Sequence, residues 1–132
     1  MALQVRHVDG ERFEVAVRGH RLVVDQPAPG GDDAGPTPVE LFVAGLASCV
    51  AALARAYLLR HGLRADGLSV TAEYDVGKRP SRVSEVRLVI RVPEGIPEHR
   101  RRGLLAVASR CTVHNSLRTP PDVTLTSAPS QA

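Results

Sequence analysis

Residues 37–61 read TPVELFVAGLASCVAALARAYLLRH, and this stretch decides the fold. Its opening is a helix start: Thr37 as N-cap, Pro38 at the first helical position and Glu40 at the third make a capping box. The apolar residues then continue to His61 without a clean polar face, and Gly62 reads as the C-terminal cap. A helix apolar almost all round must be covered on most sides. Ala44, Gly45, Ala47, Ser48, Ala51 and Ala52 are small enough to let another backbone approach closely. The uncharged run extends only from Leu41 to Ala54, between Glu40 and Arg55. A membrane span needs about 20 such residues, so the pattern predicts a buried core helix and no membrane insertion.

The residues before this helix read as strand. LQVRHVD and RFEVAV flank Gly10-Glu11, HRLVVDQ follows Arg18-Gly19, and the three predict a meander with short turns. PAPGGDDAGP, residues 27–36, is by composition an exposed, mobile loop. After Asp66-Gly67 the period changes to two: Leu68, Val70, Ala72 and Tyr74 alternate with polar residues. Gly77-Lys78-Arg79-Pro80 turns the chain into a second strand with Val86, Leu88, Ile90 and Val92 on one face. A second helix is expected from Pro97 to Arg110, with Leu104, Ala108 and Cys111 on one stripe. A last strand is expected over Val123–Thr126. Three strands, helix, two strands, helix, strand is an α+β order with mostly antiparallel sheet. It predicts one domain over residues 1–127 and a disordered tail over 128–132. The long helix is too apolar for one small sheet and one helix to cover, which argues for a dimer.

At 132 residues the chain is long enough for a real core, and 43% hydrophobic with 23% charged residues is ordinary for a soluble domain. Net charge is +3, and the one basic run, His99-Arg100-Arg101-Arg102, reads as a solvated helix face. Two Phe and two Tyr with no Trp are too few for the stacking platforms of single-strand nucleic-acid readers. No nucleic-acid partner is expected. Met1 to Val8 has no apolar signal core, so the expected location is the cytoplasm, where a permanent disulfide is disfavoured.

There are two cysteines, Cys49 in the long helix and Cys111 at the end of GLLAVASRC. No CxxC is present, which leaves out a zinc knuckle or a local dithiol. Read alone they are either two packed core thiols or a peroxide-reacting thiol and its resolving partner brought together by the fold. His7, His20, His61 and His99 show no ligand spacing with one another or with the cysteines. No metal and no cofactor are predicted.

The stretch from Gly35 to Cys49, GPTPVELFVAGLASC, resembles the family of osmotically induced protein C (OsmC) and the organic hydroperoxide resistance (Ohr) proteins. Cys111-Thr-Val-His-Asn-Ser-Leu117 is similar to that family's second cysteine motif. With no paired Glu, GPTPVELF is closer to an uncharacterised OsmC-like branch. The resemblance implies an OsmC-like fold: antiparallel sheet wrapped around the long central helix and a second helix, in an intertwined homodimer. It implies a thiol peroxidase for organic, including fatty-acid, hydroperoxides. Cys49 would be peroxidatic, Cys111 resolving, and a dithiol reductant such as a lipoyl protein would reset the pair. The family's peroxidases also use an Arg from the N-terminal strands to activate the thiolate, held by a Glu ten residues before the cysteine.

That carboxylate position is Val39 here. Glu40 is the nearest substitute, yet nine residues place it about 180° around the helix and about 13 Å along it from Cys49. It would reach only a site across a dimer interface; otherwise it is simply the capping partner of Thr37. Among Arg6, Arg12, Arg18 and Arg21, Arg12 is the candidate activator; otherwise each is a solvent-facing strand residue. An activator is needed, because burial protonates a thiol and Cys49 lies too deep in its helix to feel the N-terminal dipole. His114 would tune Cys111 or hydrogen-bond a helix end. The leading expectation is thus a peroxidase with Cys49, Cys111, Arg12 and Glu40 as site residues. The alternative is a non-catalytic protein that binds a small lipophilic ligand in the dimer pocket. A third reading, a handler of electrophiles or persulfides, uses the same two thiols.

Overall fold

In the computed structural model, which describes residues 1–131, the capping box forms as the sequence predicts. The Glu40 amide donates to Thr37 Oγ1 (3.1 Å) and the Thr37 amide donates to Glu40 Oε1 (2.8 Å). Helix α1 runs Pro38–Arg60 with His61 as C-cap. Gly62 adopts φ +68°, which lets the Leu63 amide reach the Leu58 carbonyl (2.8 Å) and the Gly62 amide reach that of Leu59 (3.1 Å). This Schellman closure also turns the Leu63 side chain back onto the Leu58 core.

Strands β1 (Gln4–Asp9), β2 (Arg12–Val17) and β3 (His20–Val24) form an antiparallel meander. Arg18 and Gly19 both take positive φ, +48° and +81°, as a type I′ hairpin turn requires. Strands β4 (Ser69–Gly77) and β5 (Arg82–Arg91) make a separate two-stranded sheet. The antiparallel strands of the subunit thus fall into two sheets, joined in sequence by α1. The hairpin packs on α1; the meander meets it only near its start, where Val5, Phe13, Val15 and Val24 face Pro38 and Leu41 across a cavity of about 390 Å³.

Helix α2 is Glu98–Ala108, shorter than the Pro97–Arg110 expected, with Pro97 outside it as N-cap. A third helix, α3 (Thr112–Arg118), follows at once. The strand expected over Val123–Thr126 does not form: from Pro120 to Gln131 there is no regular structure, and Val123 and Leu125 are 78% and 91% exposed. Its two apolar side chains stay exposed and pack on no core, and Pro120-Pro121 lacks the amides that would extend pairing. The tail expected over 128–132 is likewise without secondary structure to Gln131; position 132 lies outside the described residues.

One stripe of α1 is buried: Val43, Leu46, Val50, Ala54, Tyr57 and Leu58. Its C-terminal half packs with Ile96 and Leu104. The approach of α2 depends on Gly103, because a Cβ there would collide with the Tyr57 hydroxyl. By length and composition α1 could cross a membrane, but this stripe locks it into the core. The opposite stripe, with Ala44, Gly45, Ser48, Ala52, Ala56 and Leu59, is exposed. A single subunit thus covers one side of a helix that is apolar on both. Leu58 is fully buried, and Leu58→Ala should lower unfolding free energy by about 2–5 kcal/mol in denaturant titration.

Candidate functional site

Cys49 lies at the border between the two stripes of α1 and is half-buried, whereas Cys111 is 0% exposed. The fold brings them together. Both belong to one apolar cluster with Leu46, Val50, Ala108 and Val113, and both are free thiols. Cys111 was expected to close the α2 stripe; it instead starts α3. Its Sγ serves as the N-cap acceptor for the His114 amide at 3.3 Å.

The electrostatics of Cys111 follow from this seat. Burial pushes its thiol above the usual range, the His114 amide pulls the other way, and the neighbouring Cys49 raises it further. Cys111 is therefore held as a neutral thiol. His114 lines a groove of about 420 Å³ with Phe42, Leu46, Leu88, Leu117 and Arg118. It also borders a smaller cavity of about 130 Å³ beside Val50 and Ala108.

Arg12 and Glu40 are engaged elsewhere in the subunit. Glu40 is held in the capping box, the structural one of its two readings. Arg12 sits at the end of the meander, where Nη2 donates to Asp32 Oδ2 (3.3 Å) and Nε lies 3.9 Å from Asp25 Oδ2 and 3.8 Å from Asp9. Three carboxylates thus surround one guanidinium, and its Nε is buried with no hydrogen-bond partner among the described residues.

Asp25 was not foreseen. It is 1% exposed, and its carboxylate accepts from the amides of Gln26 (2.7 Å), Asp32 (3.3 Å) and Ala34 (3.1 Å). The 27–36 loop is folded around this one side chain, and a Cβ at Gly31 would strike it. Nothing in VVDQP distinguishes such an amide collector from an ordinary strand-end Asp. The Ala34 amide, then that of Gln26, holds the Asp25 carboxyl below its usual range. A carboxyl lowered in the native state stabilises above its unfolded pKa, and that stability is lost as pH falls through the lower native value. The melting temperature of wild type should therefore exceed that of Asp25→Asn near pH 6, by several degrees, with the gap closing as pH falls below the ordinary Asp range.

A family model described as OsmC-like protein matches residues 30–126. That span takes in both cysteines and leaves Arg12 outside. No curated protein matches the sequence. Among solved structures, an OsmC-like protein from Mycoplasma pneumoniae superposes with TM-score 0.79 at 17% identity, over 90% of this chain and 87% of that one. An organic hydroperoxide resistance protein from Elizabethkingia anophelis gives 0.69 at 21% identity, over 91% and 90%. A protein from Legionella pneumophila, described as an organic hydroperoxide resistance protein OsmC, gives 0.61 at 22%, over 89% and 88%. At such identities the likeness is one of fold, and it extends over nearly the whole of each chain. With its α+β order, its antiparallel sheets and both cysteine motifs inside the matched span, the chain belongs to the OsmC-like protein family.

Proposed function

We propose that this protein is a thiol-dependent peroxidase for organic hydroperoxides, with Cys49 as the attacking and Cys111 as the resolving residue. One observation carries the reading: two thiols far apart in sequence meet in one apolar cluster, the first half-exposed and the second fully buried. The half-exposed thiol is the one an oxidant reaches. Its sulfur attacks the terminal oxygen of the hydroperoxide, the O–O bond breaks, and the alcohol leaves with the proton. Cys49 is then a sulfenic acid. The Cys111 sulfur displaces its hydroxyl as water, giving a disulfide that an external dithiol, such as a lipoyl protein, reduces by exchange.

The exposed stripe of α1 would be covered by a second copy in a homodimer. That arrangement would give a meander arginine, Arg12 by preference, or Glu40 a route to face a thiol pair of the other copy. Asp25 and Asp32 would then hold Arg12 in the role that Val39 leaves unfilled. A second reading is favoured by the same ion pairs. If the carboxylates neutralise Arg12 fully, no cation is left to activate Cys49, and the apolar groove beside His114 serves a non-catalytic lipophilic ligand instead. The cytoplasm is the compartment in which a reducible pair of this kind would cycle.

Leu46, Val50 and Leu53 surround the reacting thiol with hydrocarbon. Cumene hydroperoxide should therefore oxidise Cys49 about tenfold or more faster than hydrogen peroxide, because its alkyl group is desolvated on binding. Stopped-flow measurement of thiol oxidation with the two oxidants tests this. Equal rates, or a preference for hydrogen peroxide, would remove the substrate assignment.

A further inference from the structure

The α3 helix has no buried residue, and its first turn depends on a sulfur. Cys111 Sγ accepts the His114 amide at 3.3 Å, while the Cys111 carbonyl accepts the Asn115 amide at 2.8 Å. Cys49 packs against the same cluster that holds this sulfur. One atom therefore has two roles that compete: it caps α3 in the dithiol, and it would bond to Cys49 Sγ in the disulfide.

From this we infer that the Cys111 thiol couples the redox state of the pair to the order of α3, with disulfide formation releasing the helix and opening the groove it borders. The inference rests on the Cys49–Cys111 chemistry proposed above. When the hydroperoxide oxidises the pair, two thiol hydrogens leave as the alcohol and water protons, and one S–S bond forms. The Cys111 side chain must then turn toward Cys49 to meet the fixed dihedral of a disulfide. The His114 amide loses its acceptor, and a short helix without a cap frays from its first turn. His114, Leu117 and Arg118 form one wall of the groove of about 420 Å³ that shares Leu46 with the thiol cluster. Loosening that wall answers a difficulty that burial creates. Cys111 is 0% exposed, and a dithiol reductant must reach one sulfur of the disulfide to attack it. Release of α3 would open the Cys111 sulfur in the oxidised state alone and keep that thiol closed when reduced.

Hydrogen–deuterium exchange of the full chain, reduced and after oxidation with diamide, tests the coupling. Diamide forms the disulfide whether or not the protein consumes hydroperoxide, so the two proposals fail separately. The expected result is exchange about fivefold or more faster across His114–Arg118 in the oxidised protein, with α1 unchanged. Cys49→Ser treated the same way should show no change. Cys111→Ser, whose hydroxyl caps but cannot oxidise, should keep α3 protected under diamide. Cys111→Ala should show the fast exchange without oxidant. Equal α3 protection in the reduced and disulfide forms overturns the inference, as does wild-type protection in Cys111→Ala. Failure of diamide to join the two cysteines also overturns it. A disulfide formed by diamide but never by cumene hydroperoxide leaves the coupling intact and sinks the peroxidase instead.

Discussion

Cys49→Ser should reduce hydroperoxide consumption to the uncatalysed background, while Cys111→Ser should still consume one equivalent per subunit. The asymmetry follows from the order of events and from burial. Cys49 is the half-exposed sulfur and Cys111 the closed one, so only the first meets oxidant. Its attack requires no partner, whereas turnover requires Cys111 to displace the sulfenic hydroxyl. Cys111→Ser should therefore stop as a sulfenic acid at Cys49 that dimedone traps, with one burst and no second cycle. A hydroxyl at 111 also keeps an N-cap for α3, so loss of turnover in that variant is not loss of fold. The reverse pattern, with Cys111 the residue whose removal abolishes the burst, would exchange the two roles.

A carboxylate on the bare stripe of α1 should separate the subunits. Ala52 lies on that stripe with Ala44, Gly45, Ser48 and Ala56, all exposed in one subunit. Side chains this small let two helices approach closely, and a charge buried there unpaired costs several kcal/mol. Wild type should behave as a dimer in light scattering at micromolar concentration, and Ala52→Glu as a monomer. Glu is a strong helix former, so the variant loses the interface without losing the helix. A wild-type protein that is a stable folded monomer under those conditions would remove the homodimer, and with it the route from Arg12 to a thiol pair.

The elements that were legible in the sequence are those whose local chemistry is self-contained. Thr37-Pro38-Val39-Glu40 specifies a helix start within four residues, and both of its hydrogen bonds are present. Period two from Leu68 to Val92 specifies a hairpin whose inner residues pack on α1. The meander is readable because Arg18-Gly19 is a turn by its own backbone preferences. What escaped depends on partners distant in sequence. Seven residues are too few for α3 to announce itself by periodicity, and its cap is a thiol that no capping rule lists. Asp25 collects amides from a loop whose path is known only once folded. Val123–Thr126 has strand-like alternation, but its apolar side chains stay exposed, and alternation alone does not form a strand. The site was legible in part for the same reason. Cys49 sits on a recognisable helix and Cys111 on one that was not foreseen, and the two fall in one apolar cluster, while Arg12 is drawn into a cluster of carboxylates that spacing does not reveal.

The most direct test of the central claim is a single-turnover experiment. Reduced wild-type protein is mixed with one equivalent of cumene hydroperoxide, with thiol loss followed by stopped flow and the product by peptide mass mapping. The account predicts oxidation far faster than that of free cysteine and a single intramolecular disulfide joining Cys49 to Cys111. Oxidation no faster than free cysteine, or a product in which the two cysteines are not joined, would contradict it.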